Sequence, residues 1–118
     1  MDSTRKIALF AYNGDTLCFV HVLLNALDMN ARGWEARIVV EGQVTRAIPA
    51  LAREGEPFHD LFTRAKMLGL IAGACKACSA KMGVIEEVRA AGIPLLDDMQ
   101  GHPSIARFLE QGYEIMTF

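Results

Sequence analysis

Apolar residues along this chain come in short continuous runs that alternate with longer stretches at helical spacing. Lys6 to Tyr12 is almost continuously apolar, as befits a strand buried on both faces. Asn13-Gly14-Asp15 is turn chemistry, and Asp15 or Thr16 suits the N-cap of a helix predicted from Leu17 to Ala31. That helix carries two apolar stripes, one of Leu17, Val20, Leu24 and Leu27, the other of Phe19, Val22, Leu23 and Ala26. One stripe can cover a sheet. The Phe19, Val22 and Leu23 stripe then needs a second subunit, or the closing helix with Phe108 and Leu109, to keep it from water.

Glu35 to Glu41 predicts a second strand around Arg37-Ile38-Val39-Val40. Gln43 to Arg53 predicts a helix that Pro49 kinks or divides. Phe58 to Leu68 predicts a third helix, and Leu70 to Ala74 a third strand in which Gly73 implies close backbone approach. A helix then continues past the cysteines through Val84, Ile85, Val88 and Ala91 to Gly92. Ile93 to Leu96 is a short fourth strand that Pro94 assigns to an edge. Pro103 suits the first position of a last helix with Ile105, Ala106, Phe108 and Leu109 inward, and Tyr113 to Phe118 closes the sheet. Strands alternating with helices over 118 residues predict one α/β domain, residues 1–118. Its architecture is three-layer α/β/α with a mainly parallel sheet of about five strands.

Composition narrows the function classes. The chain is 52% apolar and 22% charged, with a net charge of −2. That balance argues against a nucleic-acid surface held by bulk charge. The longest apolar stretch, Leu17 to Leu27, is too short to span a bilayer. The first apolar run stops at Asn13 with no small-residue cleavage site, so it reads as a strand rather than a signal peptide, and a cytoplasmic protein is expected. Three cysteines in such a chain are not a disulfide framework.

In a parallel sheet, ligands bind beyond the carboxyl ends of the strands. That edge should carry Asn13, Asp15, Cys75, Cys78, Asp97, Asp98 and His102. Leu70 to Gly83, LIAGACKACSAKMG, delivers Cys75 to the mouth of a helix, with Cys78 three positions on. The helix start and Lys76 are expected to lower the thiol pKa. Cys-X-X-Cys is compatible with half a zinc site, with a redox dithiol, with a sulfur-carrying thiol, or with two small buried residues. Zinc needs more ligands, and Cys18, His21, His59 and His102 are scattered, so no metal and no cofactor is expected. His102 before Pro103 suits a cap or a loop hydrogen bond. Adjacent Asp97 and Asp98 suit a solvated loop, and Asn13-Gly14-Asp15 is a weak anion-binding signal.

The segment Cys75-Lys-Ala-Cys-Ser-Ala-Lys-Met-Gly83-Val84, in this order of elements, resembles the DsrE/DsrF-like family. Gly101-His102-Pro103-Ser104 through Gly112-Tyr113 resembles a small, mostly uncharacterised subgroup of it. The resemblance implies a parallel sheet between helices, and a sulfur-carrying cysteine in the loop after the third strand, here Cys75. It also implies assembly as trimers or hexamers, and sulfur donor and acceptor proteins as partners. Cys78 is an addition to the family pattern. The expected function is therefore sulfur carriage or transfer through a Cys75 persulfide, which Cys78 resolves. Asn13, Asp15, Lys76, Ser79, Asp98 and His102 are the expected binding residues around it. A non-catalytic oligomeric module binding a ligand or partner at the same edge is the alternative, and a redox-active dithiol protein the third reading.

Overall fold

The computed structural model describes residues 4–118; the first three residues of the segment leading into the first strand lie outside the described residues. Strands β1 (Lys6–Ala11), β2 (Glu35–Val40), β3 (Ile71–Cys75), β4 (Leu95–Leu96) and β5 (Glu114–Thr117) form one sheet in the order β4-β3-β2-β1-β5. Every pairing is parallel. Helices α1 (Thr16–Ala31), α2 (Ile48–Leu51), α3 (His59–Met67), α4 (Lys76–Lys81), α5 (Ile85–Ala90) and α6 (Ile105–Glu110) connect the strands, with a 3₁₀ segment, Gly42–Ala47, ahead of α2.

The chain adds strands in one direction from β1 to β4, then crosses back to lay β5 on the far side of β1. Right-handed crossovers therefore put α1 to α5 on one face and α6 on the other. Strand alternation feeds both faces. On the first, Ile7, Leu9, Ile38 and Val40 pack with Phe19, Val22, Leu23, Ile48, Phe62 and Val88. On the second, Ala8, Phe10, Val39 and Tyr113 meet Phe108 of α6, whose ring lies edge-on to Phe10 and to Tyr113 with centroids 5.4 Å away in each case. The result is the three-layer α/β/α arrangement, with unequal outer layers.

Several local expectations hold. Asp15 caps α1, and Pro49 sits in the first turn of α2, separating it from the 3₁₀ segment. A Cβ on Gly73 would come 2.7 Å from both the Leu96 side chain and the Pro94 carbonyl, so β3 and β4 approach each other only because that residue is glycine. β4 is an edge strand.

Others need correction. On α1 the stripe that covers the sheet is Phe19, Val22, Leu23 and Ala26, all buried, whereas Leu17 and Leu24 are 63% and 49% exposed. The apolar surface that lacks a cover in the chain is therefore on the other stripe. The helix after the cysteines is two helices, because Gly83 turns left-handed at φ 75° and ends α4 before Val84 starts the next. In α6, Ser104 is the N-cap and Pro103 precedes it; Ile105, Ala106 and Leu109 face solvent, leaving Phe108 as the anchor.

Candidate functional site

Cys75 ends β3 and is the N-cap of α4, where it is fully buried. An N-cap side chain accepts from the second or third helical N–H. Here the third is Cys78, and its N–H donates to Cys75 Sγ at 3.2 Å. The Cys-X-X-Cys spacing thus folds the second cysteine back toward the first sulfur. Ser79, also buried, donates its hydroxyl to the Cys75 carbonyl at 2.8 Å and fixes the strand-to-helix corner.

The loop after β4 supplies the third group. Met99 and His102 exchange N–H···O bonds of 2.8 and 3.0 Å. Between them Gln100 and Gly101 both have positive φ, 51° and 89°, the pattern of a type I′ turn. The Gly101 carbonyl accepts the Ala77 N–H at 2.8 Å, so the turn is tied to the open end of α4. His102 Nδ1 thereby stands 3.2 Å from Cys75 Sγ, which also faces the Gly101 carbonyl at 3.6 Å. The ligand atoms of Cys75, Cys78 and His102 all lie within 4.8 Å of one another.

Gly101 is the weak point of this construction. Its φ disfavours any side chain, and a Cβ there would sit 3.0 Å from Ala77 Cβ. Gly101→Ala is expected to cost about 1–2 kcal/mol of stability and to change the alkylation rate of Cys75. A rate identical to that of the unmodified protein in a thiol-trapping assay would detach the turn from the thiol.

The electrostatics reverse one expectation. Burial pushes the Cys75 thiol up to about 12, the Cys78 side chain adds to this, and the Cys78 N–H opposes it. Desolvation outweighs the short helix α4. Lys76 turns away to Asp97, with Nζ 3.6 Å from the carboxylate on the surface. Burial therefore disfavours the thiolate at rest, and His102 is the base within reach. Glu41, half-buried just past β2, interacts electrostatically with both Cys75 and His102; burial raises its carboxyl and His102 opposes that. Sequence reasoning missed Glu41, although its place at the carboxyl end of an apolar strand was a usable signal.

The remaining predicted residues take other positions. Asn13 Oδ1 accepts the Asp15 N–H at 3.0 Å, and Asp15 Oδ1 caps α1 by accepting the Leu17 N–H at 2.8 Å. Both follow β1, two strands from β3, or roughly 10 Å by strand spacing. Asp98 pairs with Arg107 and accepts the Ser104 N–H at 3.4 Å, which ties the loop to α6. Cys18 and His21 are exposed on α1, and the His59 ring nitrogen pairs with the Leu51 carbonyl at 2.8 Å. Of the scattered metal-ligand candidates, His102 is the one the fold brings to the cysteine pair among the described residues.

The chain is 30% identical over 97 residues to the uncharacterized protein MJ0733 of Methanocaldococcus jannaschii, a match that covers 82% of this chain and 77% of that one. It is 39% identical over 51 residues to an uncharacterized protein of Archaeoglobus fulgidus, covering 43% of this chain and 82% of the relative. No protein-family model matches the chain, and no solved structure does. Among the described residues no helix is long and apolar enough to cross a membrane.

Proposed function

We propose that this chain, which belongs to the family of the M. jannaschii protein MJ0733, is a DsrE/DsrF-like sulfur carrier that holds sulfur as a persulfide on Cys75. The observation that carries the reading is the 3.2 Å contact between Cys75 Sγ and His102 Nδ1, with a second thiol beside it. A buried thiol is a poor nucleophile until a neighbouring base takes its proton. His102 accepts the Cys75 proton, and the thiolate attacks the outer sulfur of a donor persulfide. The donor's S–S bond breaks, the donor leaves as a thiol with the proton from His102, and Cys75 keeps the extra sulfur. Delivery runs the same exchange in reverse, with an acceptor thiolate attacking that outer sulfur. Alternatively the Cys78 thiol attacks Cys75 Sγ, forming the Cys75–Cys78 disulfide and releasing hydrogen sulfide. The Cys78 N–H on Cys75 Sγ stabilises the Cys75 thiolate in uptake and in delivery.

A reducing cytoplasm suits free thiols of this kind. Sulfur donor and acceptor proteins are the proposed partners, with assembly as a trimer or hexamer through exposed apolar surface such as Leu17 and Leu24. The proximity of the two sulfurs also favours a second reading, a dithiol–disulfide redox protein.

Intact-mass analysis after incubation with a persulfide donor separates these readings. The expected result is a one-sulfur adduct that is lost in Cys75→Ser and persists in Cys78→Ser. An adduct lost only in Cys78→Ser reverses the assignment. A disulfide with no sulfur adduct in either variant favours the redox reading, and no change in any form favours a ligand-binding module.

A further inference from the structure

We infer that Cys75, Cys78 and His102 also form a site for a tetrahedral divalent cation, zinc in the first place, and that zinc bound there closes the thiol pair to sulfur chemistry. The metal site stands whether or not Cys75 ever carries sulfur, whereas the closure rests on the persulfide reading.

Tetrahedral zinc, bonded at about 2.3 Å to sulfur and about 2.0 Å to nitrogen, holds its ligand atoms about 3.5–3.8 Å apart. The two sulfurs and the imidazole nitrogen here all lie within 4.8 Å of one another, and the Cys75–His102 pair stands at 3.2 Å. Shifts of about an ångström bring all three onto one ion. The set is also held from outside. The N-cap corner fixes Cys75, the first turn of α4 fixes Cys78, and the type I′ turn tied to Ala77 holds the His102 ring with Nδ1 toward the sulfur. Ligands held in place in this way lose little freedom when they close on an ion.

Donor chemistry selects the ion. Two thiolates and an imidazole favour zinc over magnesium or calcium, which take oxygen ligands. Three protein ligands leave one coordination position for water. Binding displaces one proton from each thiol, two in all, and uses the neutral ring of His102. Both sulfurs are then committed to the metal and neither can attack a persulfide, so the zinc-bound and sulfur-bearing states exclude one another.

The test uses the full chain freed of metal with a chelator and titrated with cobalt(II), a spectroscopic stand-in for zinc. The expected result is a sulfur-to-cobalt charge-transfer band with strong tetrahedral d–d absorption, saturating at one cobalt per chain and erased by zinc. Cys78→Ser and His102→Ala each weaken binding at least about tenfold, and Cys18→Ser, outside the cluster, leaves it unchanged. Absence of the charge-transfer band, or equal affinity in His102→Ala, overturns the site. In a second arm, zinc-saturated protein is offered a persulfide donor and is expected to gain no sulfur. Uptake at the metal-free rate overturns the closure. Metal-free protein that takes up no sulfur while cobalt still binds would sink the carrier reading and leave the metal site standing.

Discussion

His102→Ala is expected to slow sulfur uptake by metal-free Cys75 by roughly 10²–10⁴-fold at neutral pH, the range that a positioned general base contributes. Burial holds the thiol up to about 12, so almost no thiolate exists near neutrality without help. His102 Nδ1 at 3.2 Å accepts the proton as attack begins and makes the thiolate fraction at rest unimportant. Without the ring, hydroxide must do this work. The variant's rate should then climb about tenfold per pH unit toward 12, while the parent's rises less steeply. A purely structural role for His102 would not produce that difference in slope. Added imidazole should restore part of the variant's rate at neutral pH. Equal rates in parent and variant, or a uniform loss with the same pH slope, would remove His102 from the proton-transfer step. Cys18→Ser is the control, since that exposed thiol lies outside the cluster.

The strands and most helices were legible because their apolar periods differ: the uniform runs Ile7 to Ala11 and Ile38 to Val40 against the spaced pattern of α1. The parallel sheet followed from their alternation, and so did the side of the molecule that carries Cys75. What a period cannot say is which of two apolar stripes faces inward. On α1 both stripes fit a helix, and the choice is made by packing with Ile7, Leu9 and Ile38, which belongs to tertiary structure. The break between α4 and α5 was harder, because apolar residues continue across Gly83 and its left-handed φ carries no apolar signal. At the site, the cysteine pair was visible as a motif. His102 was assigned to the same edge, but its direct contact with Cys75 was not visible, since it depends on β4 lying beside β3 and on Gln100-Gly101 making a two-residue turn. Asn13 and Asp15, equally well placed along the edge, stay with β1 because β2 lies between it and β3. The thiol pKa went the wrong way because helix position was visible in the sequence and complete burial was not.

Val22→Glu is expected to unfold the protein, whereas Leu24→Glu leaves it folded. Val22 is 0% exposed, in the layer between α1 and the sheet with Phe19, Leu23 and Ala26. A carboxylate there has no cation to pair with among its apolar neighbours, and burying it costs several kcal/mol or forces it to stay protonated. Small domains hold only about 5–15 kcal/mol in total, so this one change removes much or all of the margin. Circular dichroism should show a lost or greatly lowered thermal transition. Leu24, two positions on, is 49% exposed on the opposite stripe, and a charge there alters monomer stability by about 0.5 kcal/mol or less. Its effect appears only if that stripe meets another copy of the chain. In an oligomer built on Leu17 and Leu24, light scattering of Leu24→Glu falls to the 13.0 kDa monomer with an intact melt. In a protein that is monomeric to begin with, neither the mass nor the melt moves. A Val22→Glu protein that melts like the parent would mean that α1 presents its other stripe to the sheet.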